Sequence, residues 1–272
     1  MRRLCSLFLC PLTWLTVLCP PPYVHGSPAS PRHIVSINLV SDIILLDLVE
    51  PERITALSWL ASDPDTSPVA ERARAFPKTR GHAEEILPLK PDLVVGTAWG
   101  QDRTLQLIER TGIRTHRVLL AQRYAEIESA VRDLARAVGE SEKGEALIER
   151  MNARLAALRD PNLPPRGTAV WLGQQGFHHG DDHLMREILR DAGWIPSGSG
   201  SISLESLVLH PPDAVIETRY LTDRPTLASR LRDHPALRSL AAEIHVVRLA
   251  DLLSATHLMP SVSENLRRQT KP

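Results

Sequence analysis

The stretch Gly176-Phe177-His178-His179-Gly180-Asp181-Asp182-His183-Leu184 collects three His and two Asp within nine residues. Imidazole nitrogens and carboxylate oxygens ligate zinc, iron and related ions, so His178, His179 and His183 are candidate metal ligands. They could hold a free ion or the metal centre of a chelate. The stretch follows the apolar run Ala169-Val170-Trp171-Leu172 and precedes a helical pattern from Leu184 to Asp191, which places it at a strand end. The same residues also suit an ordinary polar loop in which Asp181 or Asp182 caps the next helix. Both readings stand at this point.

Aromatic residues occupy comparable places. Trp59, Trp99 and Phe177 each follow a predicted strand, where α/β sheets present ligand sites. Aromatic faces there suit a large, flat or partly apolar ligand. His257 falls in the loop after the last predicted strand and is a further candidate contact, while His82 lies just before a helix. Trp171 is mid-strand and reads as core.

The elements that position these residues carry an internal echo. Glu84-Glu85-Ile86-Leu87-Pro88-Leu89-Lys90-Pro91-Asp92-Leu93-Val94-Val95 returns in looser form as Glu205-Ser206-Leu207-Val208-Leu209-His210-Pro211-Pro212-Asp213-Ala214-Val215-Ile216. In each copy a short helix stops at Pro, and Asp opens an apolar run of the kind a buried parallel strand shows. Two related α/β lobes with a cleft between them are the expected architecture.

Around this echo, strands are predicted at 33–37, 54–58, 93–96 and 117–119, with helices at 41–49 and 104–110 and a loop over 62–80. Apolar stripes at Ile127, Val131, Leu134, Ala135 and Val138, then at Leu147, Met151, Leu155 and Leu158, predict a helical bridge over 126–160. No Gly-rich linker interrupts it, so little relative motion of the lobes is expected. A second set follows: strands at 169–172, 214–217 and 245–248, and helices at 227–240 and 261–268. Gly198-Ser199-Gly200-Ser201 lacks the Lys of a phosphate loop and reads as a turn.

The chain has 272 residues, with 32 basic and 32 acidic side chains, so nothing in its charge points to a nucleic-acid partner. Arg2 and Arg3, the apolar run Leu4 to Leu18 and the small residues near Gly26 describe a secretory signal over 1–26. Cys5, Cys10 and Cys19 all lie within it, which leaves the exported chain without thiols. Leu18 before Cys19 is bulky for a lipoprotein signal, so a soluble periplasmic product is favoured over a lipid anchor at Cys19.

Taken together, Ile34-Val35-Ser36-Ile37-Asn38, the Glu84 to Val94 motif, the helical bridge and Ser203-Leu204-Glu205 resemble the periplasmic substrate-binding proteins of ABC importers for iron–siderophore complexes and cobalamin. The resemblance covers about residues 32–266. It implies a class III periplasmic-binding-protein fold: α/β, two lobes with parallel sheets joined by one long rigid interdomain helix. The implied layout is an N-terminal lobe over 32–125, the bridge over 126–160 and a C-terminal lobe over 165–268. It implies a monomer without a cofactor, binding a metal chelate such as a ferric siderophore, cobalamin or haem in the cleft. It also implies a partner, an inner-membrane permease dimer with its ATPase, against which Glu84 and Glu205 would dock, one from each lobe. Without the resemblance, both glutamates also fit as solvated first-turn helix residues. The loop 176–183 departs from the small, Gly-rich stretch many relatives carry there, which leaves the ligand class open.

Two other functions draw on the same residues. A periplasmic free-metal carrier would use His178, His179, His183 and His257 directly. A metallo-hydrolase with the pattern His-x-His-x-Asp-His would need His at position 180, where the chain has Gly. With no Gly-x-Ser-x-Gly elbow and no cysteine after export, covalent hydrolysis has no evident nucleophile, and no enzymatic activity is expected.

Overall fold

The computed structural model describes residues 30–160, 162, 164–172, 183–197, 203–220, 230, 234–238, 240 and 242–269. The first sheet contains β1 (Ile34–Ser36), β2 (Ile54–Ser58), β3 (Lys78–Thr79), β4 (Leu93–Gly96) and β5 (Arg114–Arg117). They pair in parallel in the order β3-β2-β1-β4-β5. Its helices are α1 (Leu39–Leu48), α2 (Ala70–Ala73), α3 (Ala83–Ile86) and α4 (Ala98–Glu109). After α5 (Tyr124–Val138) and α6 (Ser141–Leu158) comes the second set. It comprises β6 (Thr168–Leu172), α7 (His183–Asp191), β7 (Ile195–Pro196), α8 (Leu204–Leu209), β8 (Ala214–Arg219), α9 (Pro235–Arg238), β9 (Glu243–Arg248) and α10 (Pro260–Arg268). Its strands are also parallel, in the order β7-β6-β8-β9.

With the two-residue edge strand β3 set aside, the orders β2-β1-β4-β5 and β7-β6-β8-β9 are one topology. The sequence echo is part of it. Asp92 Oδ2 accepts the backbone N–H of Arg32 at 2.8 Å and of His33 at 2.9 Å, at the entry to β1. Asp213 Oδ2 accepts the Thr168 N–H at 2.7 Å and its hydroxyl at 2.9 Å, at the entry to β6. Each Asp clasps the start of the neighbouring central strand, and these bonds to the charged form hold both carboxyls below their usual range. Ile86 and Leu207, at matching places in the two copies, are both buried.

The bridging region contains α5 and α6. Every residue of the first predicted stripe is buried, and α5 then ends at Gly139. The chain turns there, and α6, the longest described helix at 18 residues, carries the second stripe toward β6. Helices in proteins draw most of their stability from packing an apolar face. One apolar cluster supplies that packing: it includes Ile34 and Leu93 from the first sheet, Leu134 and Leu155 from the helices, and Trp171 and Ile216 from the second. Trp171 is core as expected, and its indole N–H donates to Thr218 Oγ1 at 2.8 Å.

Several boundaries moved. The strand expected at 117–119 lies at Arg114–Arg117, because its polar residues form a partly exposed edge. The loop expected over 62–80 contains α2 and β3, and the helix expected from 104 starts at Ala98.

Candidate functional site

Parallel strands end on the same side of a sheet, and the residues just beyond those ends form the natural ligand surface. In the first sheet Trp59 follows β2, His82 follows β3, and Trp99 follows β4. Trp59 is 50% exposed and Trp99 is 81% exposed. Leu119 and Leu120, just beyond β5, are exposed as well. Large apolar side chains are thus left in water beyond the ends of β2, β4 and β5.

The local sequence explains how these rings are presented. Asn38 Oδ1 accepts the Val40 N–H at 2.8 Å and caps α1, which starts directly beyond β1. Asp42, in the first turn of α1, is fully buried. It accepts the Ser58 N–H at 3.1 Å and also the Ser58 hydroxyl, which fixes the backbone immediately before Trp59. Burial pushes this carboxyl up to about 6, against the hydrogen bonds of Ser36 and Ser58, which favour its charged form. Trp99 is held differently. The Gln101 side chain accepts the Thr97 N–H at 3.0 Å and donates to the Ile37 carbonyl, tying the ends of β4 and β1 together. Trp99 and Gly100 lie off the helical path, and Gly100 has φ +77°, where a side chain would be strained. The kink leaves the Trp99 ring standing out from a pinned loop.

The other predicted residues fall as follows. Phe177, His178 and His179 lie outside the described residues. His183 is the exposed first residue of α7. His257 is not on an open surface. It is 6% exposed, and its Nε2 sits 2.8 Å from Asp47 Oδ2 at the end of α1. Asp47 also accepts from Arg72 at 2.8 Å; burial pushes its carboxyl up, but these two partners outweigh that and hold it below its usual value. Among the described residues, no group of three His, Cys, Asp or Glu side chains is placed to hold a metal.

The two glutamates occupy matching exposed positions in the first turns of α3 and α8. Their neighbours differ in a way the sequence did not reveal. Glu85, not Glu84, is tied down: its Oε2 accepts the Thr79 hydroxyl at 2.7 Å and the Arg80 N–H at 2.6 Å. Glu205 lies on a helix capped by Ser203, whose Oγ accepts the Ser206 N–H at 3.1 Å. Its own backbone N–H and the Ser203 hydroxyl keep its carboxyl low. Sequence reasoning also missed the buried Asp42–Ser58 support beneath Trp59; an Asp in the first turn of a largely apolar helix was the available signal.

A comparison with curated protein sequences found no match. Solved structures with the same fold are numerous. The periplasmic heme-binding protein HutB of Vibrio cholerae superposes with a TM-score of 0.72 at 19% identity, over 89% of this chain and 99% of that one. A periplasmic heme-binding protein from Pseudomonas aeruginosa gives 0.65 at 20% identity, over 89% and 95%. RhuT from Roseiflexus sp. RS-1, a periplasmic heme-binding protein in apo form, gives 0.66 at 22% identity, over 87% and 95%. The family model for periplasmic binding proteins matches residues 34–249, from the first residue of β1 to just past β9. With that span and the paired parallel sheets, the chain belongs to the periplasmic binding protein family.

Proposed function

We propose that the protein is the periplasmic solute-binding component of an ABC importer and carries a metal chelate to the inner-membrane permease. The chelate class comprises ferric siderophores, cobalamin and haem. The observation that supports this best is the pair of exposed indoles, Trp59 and Trp99, on anchored strand ends of the first sheet. A flat macrocycle or aryl-bearing chelate buries apolar area against such faces, and single exposed rings gain little in any other role. Haem is the first cargo to test, since several proteins of this fold are named as heme-binding. In this reading Phe177, His178 and His179, which lie outside the described residues, contact the cargo, with His183 as a third imidazole. His257 takes a different part, bridging the end of α1 to the segment after β9.

Glu84 and Glu205 are proposed as the permease contacts. Exposed carboxylates at matching helix starts can steer and orient docking onto basic residues. Intrinsic tryptophan fluorescence tests the cargo class directly. Haem, cobalamin and a panel of ferric siderophores are titrated into the mature protein at micromolar concentration, and one of them should quench the emission saturably. No response to any of them removes the chelate assignment. Saturable zinc uptake without a chelator, in the same protein, would favour the free-metal carrier instead.

A further inference from the structure

The cavity that stands out in the described structure is not at the strand ends that carry the tryptophans. It has a volume of about 840 Å³ and lies where β6 and β7 begin, at the opposite end of the second sheet. Its apolar wall comes from Leu158, Pro164, Pro165, Trp194, Ile195 and Pro196. Four guanidinium groups line it, those of Arg159, Arg166, Arg190 and Arg267, against three carboxylates, Asp160, Glu187 and Asp191, a formal excess of 4 − 3 = +1.

Each carboxylate has a partner, but bonds from neutral N–H groups leave the charge of Glu187 and Asp160 in place. Asp191 takes a two-pronged bond from Arg159, at 2.7 and 3.1 Å. Glu187 accepts the Tyr124 N–H at 3.0 Å, and Asp160 accepts from the Asn162 backbone at 2.9 Å. Arg190 and Arg267, by contrast, make no ion pair with any described residue. Arg166 donates only to carbonyls at the end of α10, those of Leu266, Arg267 and Gln269, and stacks 4.7 Å over the Trp194 ring. The Trp194 ring is largely buried beneath that guanidinium.

We infer that this cavity is a second small-molecule site, for an organic carboxylate with a flat apolar body. The volume lies within the range of ligand pockets, which are largely apolar with a few polar anchors. Guanidinium forks match the two oxygens of a carboxylate. The wall of Pro and Trp side chains accepts the apolar part. This site is separate from the proposed chelate site and stands whether or not that cargo is correct.

The test is isothermal titration of the mature protein with 1-naphthoate, with 1-naphthalenemethanol as the neutral counterpart. Naphthoate is expected to bind with Kd below about 100 µM, and the alcohol at least about tenfold more weakly. Arg190→Gln/Arg267→Gln should weaken naphthoate binding at least about tenfold, a loss of one guanidinium–carboxylate contact or more. Equal affinity for acid and alcohol, or an unchanged Kd in the double variant, overturns the inference, as does the absence of heat at millimolar naphthoate.

Discussion

Replacing Asp42 by Asn should flatten the dependence of stability on pH. Asp42 is fully buried beneath the β2–Trp59 corner, and burial raises its carboxyl from an ordinary 3.8 to about 6. The folded state therefore binds this proton more tightly than the unfolded chain does. Stability from this group is complete below the unfolded value and is lost as pH rises through the folded one. A shift of this size corresponds to about 3 kcal/mol, of which some 2–3 kcal/mol is lost between about pH 4 and about pH 7.5. Asn is neutral throughout and can still accept the Ser58 N–H, so the variant lacks this slope. Urea denaturation followed by far-UV circular dichroism, at a series of pH values, measures it. The variant should gain on the wild type by about 2–3 kcal/mol across that window. Parallel profiles for the two proteins would refute the reasoning and show that water or rearrangement solvates Asp42 in the folded state.

Three further outcomes are expected. Glu84→Ala/Glu205→Ala should abolish importer-dependent uptake in cells while leaving the Kd for the cargo within about twofold; a lost affinity would place these residues in the ligand site. Trp99→Ala should change unfolding free energy by less than about 0.5 kcal/mol, since the ring is in water, yet weaken cargo binding about tenfold; unchanged binding removes Trp99 from the site. Gly167 has φ +136°, and a Cβ there would lie 2.6 Å from Asp213 Oδ2, so Gly167→Ala should disrupt the clasp at the entry to β6. A loss of about 1–3 kcal/mol in thermal denaturation is expected, and wild-type stability would show that the clasp yields freely.

How much of this could be read from sequence depended on burial. The central strands β1, β4, β6 and β8 were legible because both their faces are covered, which selects continuous apolar runs. The edge strands β3 and β7 were not: Lys78-Thr79 and Ile195-Pro196 are two residues each and carry no pattern. β5, with the sequence Arg-Thr-His-Arg, is polar because it too lies at an edge, and the expected strand slipped onto the apolar residues beyond it. The positions of Trp59 and Trp99 just after β2 and β4 were legible because loops after buried strands are easy to place. The partnership of His257 with Asp47 was not, since 210 residues separate them and neither belongs to a motif. The same is true of the cavity beside Trp194, whose wall is assembled from segments between Leu158 and Arg267.

The apolar cluster common to both sheets has a mechanical consequence. Swinging one half away from the other would expose side chains such as Leu134, Leu155 and Trp171, at about 25 cal/mol for each Å² of apolar surface brought into water. An opening of a few hundred Å² then lies well beyond thermal fluctuation. If the proposed cargo binds between the halves, its socket would keep a nearly fixed width, and unloading would fall to a partner acting from outside.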